Sequence, residues 1–298
     1  MASMERYLRL SGLAQRAFVR ARLERALGLF ATAEEEAKRL GDHDLVDRAF
    51  CNRCVVLLEL DRLGAQVGEL KNVLLRSRDP FTAWMAAYYS AQAFEFEGNL
   101  KRALAYARRS SELAEQCGEA RARKGSANLH GVLALRESHF GEAAEHLRAA
   151  LALATEDGDD PINLAIARDN IGYCLMCTGA AEEGLHLCRD AAATLESLGS
   201  RQVLPEVFED ICFGHLQLGQ IGDASRFGEQ ALALAREFSN PTVEKNTLML
   251  LADAAYDAGE DDVADGYLDL LAVHYPDFAG MKTFLRAFNV REVINLKA

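Results

Sequence analysis

Apolar and polar residues alternate with a helical period in four segments that can be laid over one another. They are "GNLKRALAYARRSSELAEQCG" (98–118), "SHFGEAAEHLRAALALATEDG" (138–158), "GAAEEGLHLCRDAAATLESLG" (179–199) and "GQIGDASRFGEQALALAREFS" (219–239). Each reads as a turn followed by an amphipathic helix. One small residue aligns them: Ala103, Ala143, Gly184 and Ala224. Extending the register both ways adds Ala26, Gln66 and Ala264, at spacings of about 40 residues, the signature of a repeat array.

Two further columns keep the same spacing. Twelve residues earlier lie Ala14, Cys54, Ala91, Gly131, Gly172, Cys212 and Ala252, all small. Seven residues later lie Ala33, Val73, Ser110, Ala150, Ala191, Ala231 and Leu271. Residues seven apart share one helix face, and small side chains there let two helices approach closely. The fifth residue before the anchor is Gly98, Gly179, Gly219 and Gly259 in four units, where glycine ends a helix in the left-handed conformation. Each unit is therefore predicted to be a helix A, a tight turn and a helix B.

This pattern resembles the tetratricopeptide repeat family over roughly residues 8–275, with units of about 40 residues where the family's usual unit has 34. The resemblance implies an all-α, right-handed α-solenoid of about seven helix-turn-helix repeats in a single domain spanning 1–298. Residues 281–298 break register and are expected to form a capping helix, laying Phe284, Phe288 and Val293 or Ile294 on the last repeat. The proline that normally closes helix B is displaced to Pro80, Pro161 and Pro241, with only Pro276 in its usual place. Longer helices are expected to fill the difference.

The family's binding positions on helix A map onto Met85, Tyr88, Tyr89 and Gln92 in the third unit. Later units contribute Asn128, Asp169, Asn170, Tyr173, Glu209, Phe213 and Asp253. Aromatic anchors among hydrogen-bonding groups suit a protein or peptide partner. Trp84 and the tyrosines could instead fill the core between repeats. The groove acids Asp169, Glu209, Asp210, Asp253 and Asp257 would favour a basic or amine-bearing segment. The resemblance thus implies a non-catalytic, protein- or peptide-binding scaffold or adaptor of bacterial type. With the first repeat beginning near residue 8, a regulatory peptide sensor would act through a separately encoded output protein. Self-assembly into a homo-oligomer through end caps or outer faces is the other reading.

Composition narrows the alternatives. Ala, Leu, Glu and Arg dominate, which favours helix over sheet. No run of 18 apolar residues offers a membrane span, and no secretory signal is evident. The net charge of −12 is uneven: residues 1–130 hold 21 Lys+Arg and 17 Asp+Glu (+4), leaving 12 against 28 (−16) for the rest. That balance excludes non-specific nucleic-acid binding through phosphate contacts.

Seven cysteines, an odd number, fit free thiols in a reducing cytoplasm. "CNRC" (51–54) and "CLMC" (174–177) each place two thiols on one side of a helix. A structural zinc site takes four ligands, and pairs three repeats apart should not meet. Cys54 and Cys212 fall in a small-residue column and read as packing; Cys51 and Cys174/Cys177 are expected nearer the open face of helix A. No HExxH, GxSxG, P-loop or GxGxxG occurs, so neither an enzyme nor a metal or other cofactor is expected.

Overall fold

The computed structural model describes residues 3–60, 62–275, 278–287, 291 and 294–297. Helices follow one another without a strand among these residues. The A helices are α1 (Met4–Val19), α3 (His43–Glu59), α5 (Pro80–Phe96), α7 (Ala120–Arg136), α9 (Pro161–Cys177), α11 (Leu204–Gln217) and α13 (Pro241–Asp257). The B helices are α2 (Leu23–Leu40), α4 (Val67–Arg76), α6 (Leu100–Cys117), α8 (Phe140–Glu156), α10 (Ala181–Ser197), α12 (Ile221–Glu237) and α14 (Asp261–Ala272). A further helix, α15 (Phe278–Ala287), follows. The chain divides into two compact units, Met1–Leu133 and Ala134–Ala298.

The three small-residue columns are buried at every position but one. The exception is Gln66, which is half-buried in a single 3-10 turn (Gly64–Gln66). A glutamine is too long for the close approach its column demands. Helix B of that unit starts one residue later and runs only 10 residues, burying Val67, Leu70 and Val73.

The turns explain the displaced prolines. Pro80, Pro161 and Pro241 open the A helices α5, α9 and α13, where the missing N–H has no helical partner to lose. Asp79, Asp160 and Asn240 cap these helices, their side chains accepting from Thr82, Ile162 and Val243 N–H. Gly98, Gly179, Gly219 and Gly259 adopt φ of 72°, 91°, 67° and 73°. In the equivalent place Ala21 and Ser138 hold left-handed φ of 53° and 60°, so the turn imposes its conformation even on residues that resist it.

Packing is closest where α9 meets α10. A methyl group added at Gly172 would lie 2.6 Å from Cys188 Sγ, and one at Gly184 would lie 2.5 Å from Met176 Cγ and closer still to Gly172 O. Only glycine allows these two backbones their separation.

Cys54 and Cys212 are fully buried in their column. Cys51 and Cys174 are also fully buried, which corrects the expectation that they lie near an open face; Cys177 is half-buried. Burial pushes the thiols of Cys54, Cys174 and Cys177 up to about 12, so they stay protonated and unreactive at neutral pH. For the capping expectation, the side chain of Phe284 and residues Phe288 and Val293 lie outside what the structure describes. Ile294 packs on the core of the second unit. No described helix is long and apolar enough to cross a membrane.

Candidate functional site

Helices α9, α11 and α13 of the second unit bring four carboxylates to one face. Asp169, Glu209 and Asp210 are 3%, 1% and 0% exposed, and Asp253 is 8% exposed. Buried carboxylates need a cation or a proton. The cation is Lys297, whose Nζ lies 2.7 Å from Asp210 Oδ2 and 3.9 Å from Asp169 Oδ2. Its ammonium also stands 5.5 Å from the centre of the Tyr173 ring, within reach of the ring's negative face.

The acids outnumber the amine. Burial raises the pKa of Asp169, Asp210 and Glu209, with Lys297 opposing the rise at each. At Lys297, burial works against the charge, but Asp210, Asp169 and Glu209 together overcome it and raise its pKa. Asp169 Oδ1, Glu209 Oε1 and Asp210 Oδ1 have no hydrogen-bond donor among the described residues. The site thus holds a positive charge firmly, and Asp169 and Asp210 lie close enough for their carboxyl groups to share a proton.

The main chain beside Lys297 is held as well. Leu296 N–H donates to Tyr173 Oη at 2.9 Å, and Asn246 Nδ2 donates to Leu296 O at 3.2 Å. Asn295 Nδ2 donates to Leu135 O at 2.8 Å and to Ser138 Oγ at 3.0 Å, while its Oδ1 accepts from Lys297 N–H at 3.0 Å. Leu296 is 4% exposed within the apolar cluster that includes Tyr173 and Phe213, whose rings lie 5.5 Å apart. Arg291 adds a second charged anchor: its Nε lies 2.7 Å from Asp253 Oδ2, and its Nη2 donates to Asp257 Oδ2 at 2.7 Å. Residues 294–297 are therefore gripped through backbone, apolar side chain and ammonium by groups from successive A helices.

The residues predicted from sequence fall into two sets. Asp169, Tyr173, Glu209, Phe213 and Asp253 converge under Arg291 and residues 294–297, and Asn170 is half-buried on α9. In the first unit, Met85 and Tyr89 are buried, Tyr88 and Gln92 half-buried, and Asn128 exposed. Trp84 belongs to the core: it is 3% exposed, its indole N–H donates to Ser126 Oγ at 3.0 Å, and its ring stacks on Tyr88. Sequence reasoning missed Asn246, Arg291, Asn295 and Lys297. The acidic excess of the second half was the one available hint that it needed a cation of its own.

Asp169, Cys188 and Asp210 also bring possible metal-ligand atoms within 4.8 Å of one another. Lys297 Nζ already stands at the two carboxylates, and burial raises the Cys188 thiol well above its ordinary pKa. With an ammonium already holding the cation's place at the two carboxylates, this trio does not fit a metal ion.

No family model and no curated protein matches the sequence. Solved structures match the fold. The chain is similar to RapI in its apo form, with 14% identity, a TM-score of 0.64 and coverage of 89% of this chain and 96% of that one. It is similar to a signal transduction ATPase with a tetratricopeptide repeat sensor from Pyrococcus horikoshii, with 17% identity and a TM-score of 0.66, covering 97% of this chain and 45% of that one. The fold is a tetratricopeptide-repeat solenoid. The solenoid is also similar to NprR in complex with its cognate peptide NprX, at 14% identity and a TM-score of 0.68, covering 98% of this chain and 86% of that one.

Proposed function

We propose that the chain is a non-catalytic scaffold or adaptor that binds peptide segments on the A-helix face of its second unit. The observation that carries this reading is the side-chain grip on the main chain at the turn of residues 296–297: Tyr173 accepts from Leu296 N–H while Asn246 donates to Leu296 O. Reading both main-chain groups of one residue is how a groove holds a peptide largely regardless of its side chains. The likeness to NprR, whose structure contains its cognate peptide NprX, supports the same reading. Asp169, Glu209 and Asp210 favour a partner with a basic residue and disfavour the phosphates of nucleic acid. In the first unit, Tyr88, Gln92 and Asn128 retain surface for further partner contact. Seven cysteines with no disulfide among them suit a reducing cytoplasm.

A regulatory version, in which peptide binding changes how the chain engages a separate output protein, is favoured by one observation: the groove is occupied by the chain's own residues. Self-association remains testable by light scattering across a concentration series, where a constant monomer mass excludes it.

Selection of a displayed random-peptide library on the purified chain tests the main reading. Enriched peptides should lose at least tenfold in affinity for the Asn246→Ala variant. No enrichment, or binding indifferent to that change, would contradict it.

A further inference from the structure

We propose that residues 294–297 are a built-in pseudoligand, and that the groove's external ligand is a peptide carrying an apolar residue followed directly by lysine, which must displace them. The inference rests on the peptide-binding reading and names the chemistry of the partner.

The segment meets every requirement a bound peptide would. Its main chain is read at Leu296 by Tyr173 and Asn246. Its apolar side chain is buried against the second unit's core. Its ammonium sits among Asp169, Glu209 and Asp210. Each contact spans a large distance in sequence, 123 residues for Leu296 to Tyr173 and 160 for Asn295 to Leu135. The segment is therefore laid onto helices remote from it in sequence, as a separate peptide would be.

The acids define what can replace it. Withdrawing Lys297 leaves three buried carboxyl groups without their cation, each with an acceptor oxygen already unused. A peptide lacking a basic side chain at that position would leave those acids without their cation, to stay as unpaired charges or take up protons, so it is disfavoured. A lysine reaches the same point with its neighbouring main chain in register for Tyr173 and Asn246. An arginine would need to place a planar fork where a compact ammonium fits. Occupancy by the chain's own segment lowers the apparent affinity for any outside peptide by the fraction of time the groove is covered.

The test uses fluorescein-Gly-Gly-Ile-Asn-Leu-Lys-amide as probe, measured by anisotropy against the full chain and a Leu296→Asp/Lys297→Glu variant. The variant should bind the probe at least tenfold more tightly than the unmodified chain, and a probe with glutamate in place of lysine should bind neither. Equal affinity for both proteins, or indifference to the lysine-to-glutamate change, would overturn the proposal. Should the variant lose its helical circular dichroism, hydrogen exchange on the unmodified chain decides: saturating probe must accelerate exchange of the Leu296 amide, and unchanged protection overturns the proposal. If a library-selected peptide binds chain and variant equally, peptide binding stands and the pseudoligand fails. If no peptide binds either, both readings fail. A dimer mass that collapses in the variant would assign the groove to the same segment of a second copy, and would overturn the outside peptide.

Discussion

The ammonium of Lys297 stands 2.7 Å from Oδ2 of Asp210, a carboxylate with no exposure to solvent. The two partners are not equivalent. One amine serves three acids, so removing the amine and removing one acid have different consequences. Replacing Lys297 with methionine leaves the acids uncompensated, and unfolding free energy should fall by about 3 kcal/mol, the low end for breaking a buried pair. Asp210→Asn leaves Asp169 and Glu209 to hold the amine and should cost less than half as much. Urea titration followed by circular dichroism compares the two; equal losses would mean that the pair acts alone.

Tyr173→Phe isolates the main-chain grip. The ring stays beside Phe213, and only the hydroxyl that accepts from Leu296 N–H is lost. An unsatisfied buried donor costs about 1–3 kcal/mol. The expected signature is a lowered melting temperature with faster exchange of the Leu296 amide. Exchange that stays slow would place the grip elsewhere.

Asp253 gives the site a pH response of known sign. Burial is the main cause that raises its pKa to about 6, with Arg291 opposing. A carboxyl raised in the fold binds more protons folded than unfolded. Its contribution is therefore present below the ordinary carboxyl pKa of about 4 and is lost as pH rises towards 6. Asp253→Asn should flatten the fall in stability across that window, measured by thermal melts at half-unit pH steps. An unchanged slope would assign the response to other groups.

The small-residue columns make a sharper prediction at glycine. Gly184→Ala would push a methyl into Gly172 O and Met176, and overpacking of this kind costs about 1–3 kcal/mol. Gly266, inside α14, meets nothing within 4 Å, so Gly266→Ala should stabilise by about 0.5–1 kcal/mol. Two glycine-to-alanine changes of opposite sign, read by melting temperature, test whether the column or the residue type governs.

The repeat was legible in the sequence because close helix approach leaves a local, periodic trace: a small side chain at Ala103, Ala143 or Ala224 is visible without knowing its neighbour. Gln66 breaks the column, and the shortened α4 is the structural answer to it. The left-handed φ of Ser138 and Ala21 was not legible, because neither residue type favours the conformation that the turn imposes. The acidic half of the site could be read from α9, α11 and α13. Lys297 could not, since its partner Asp210 lies far back in the chain and no periodicity links a single lysine to a distant acid. Trp84 looked like a groove candidate by its position, but its indole N–H found Ser126 inside the core.

The central claim is that the A-helix face of the second unit is a peptide site now filled by the chain's own residues. A crystal structure of the chain with a library-selected, lysine-containing peptide tests it most directly. The account predicts the peptide's ammonium between Asp169 and Asp210, its main chain on Tyr173 and Asn246, and residues 294–297 displaced. A peptide bound elsewhere, with Lys297 still against Asp210, would contradict it.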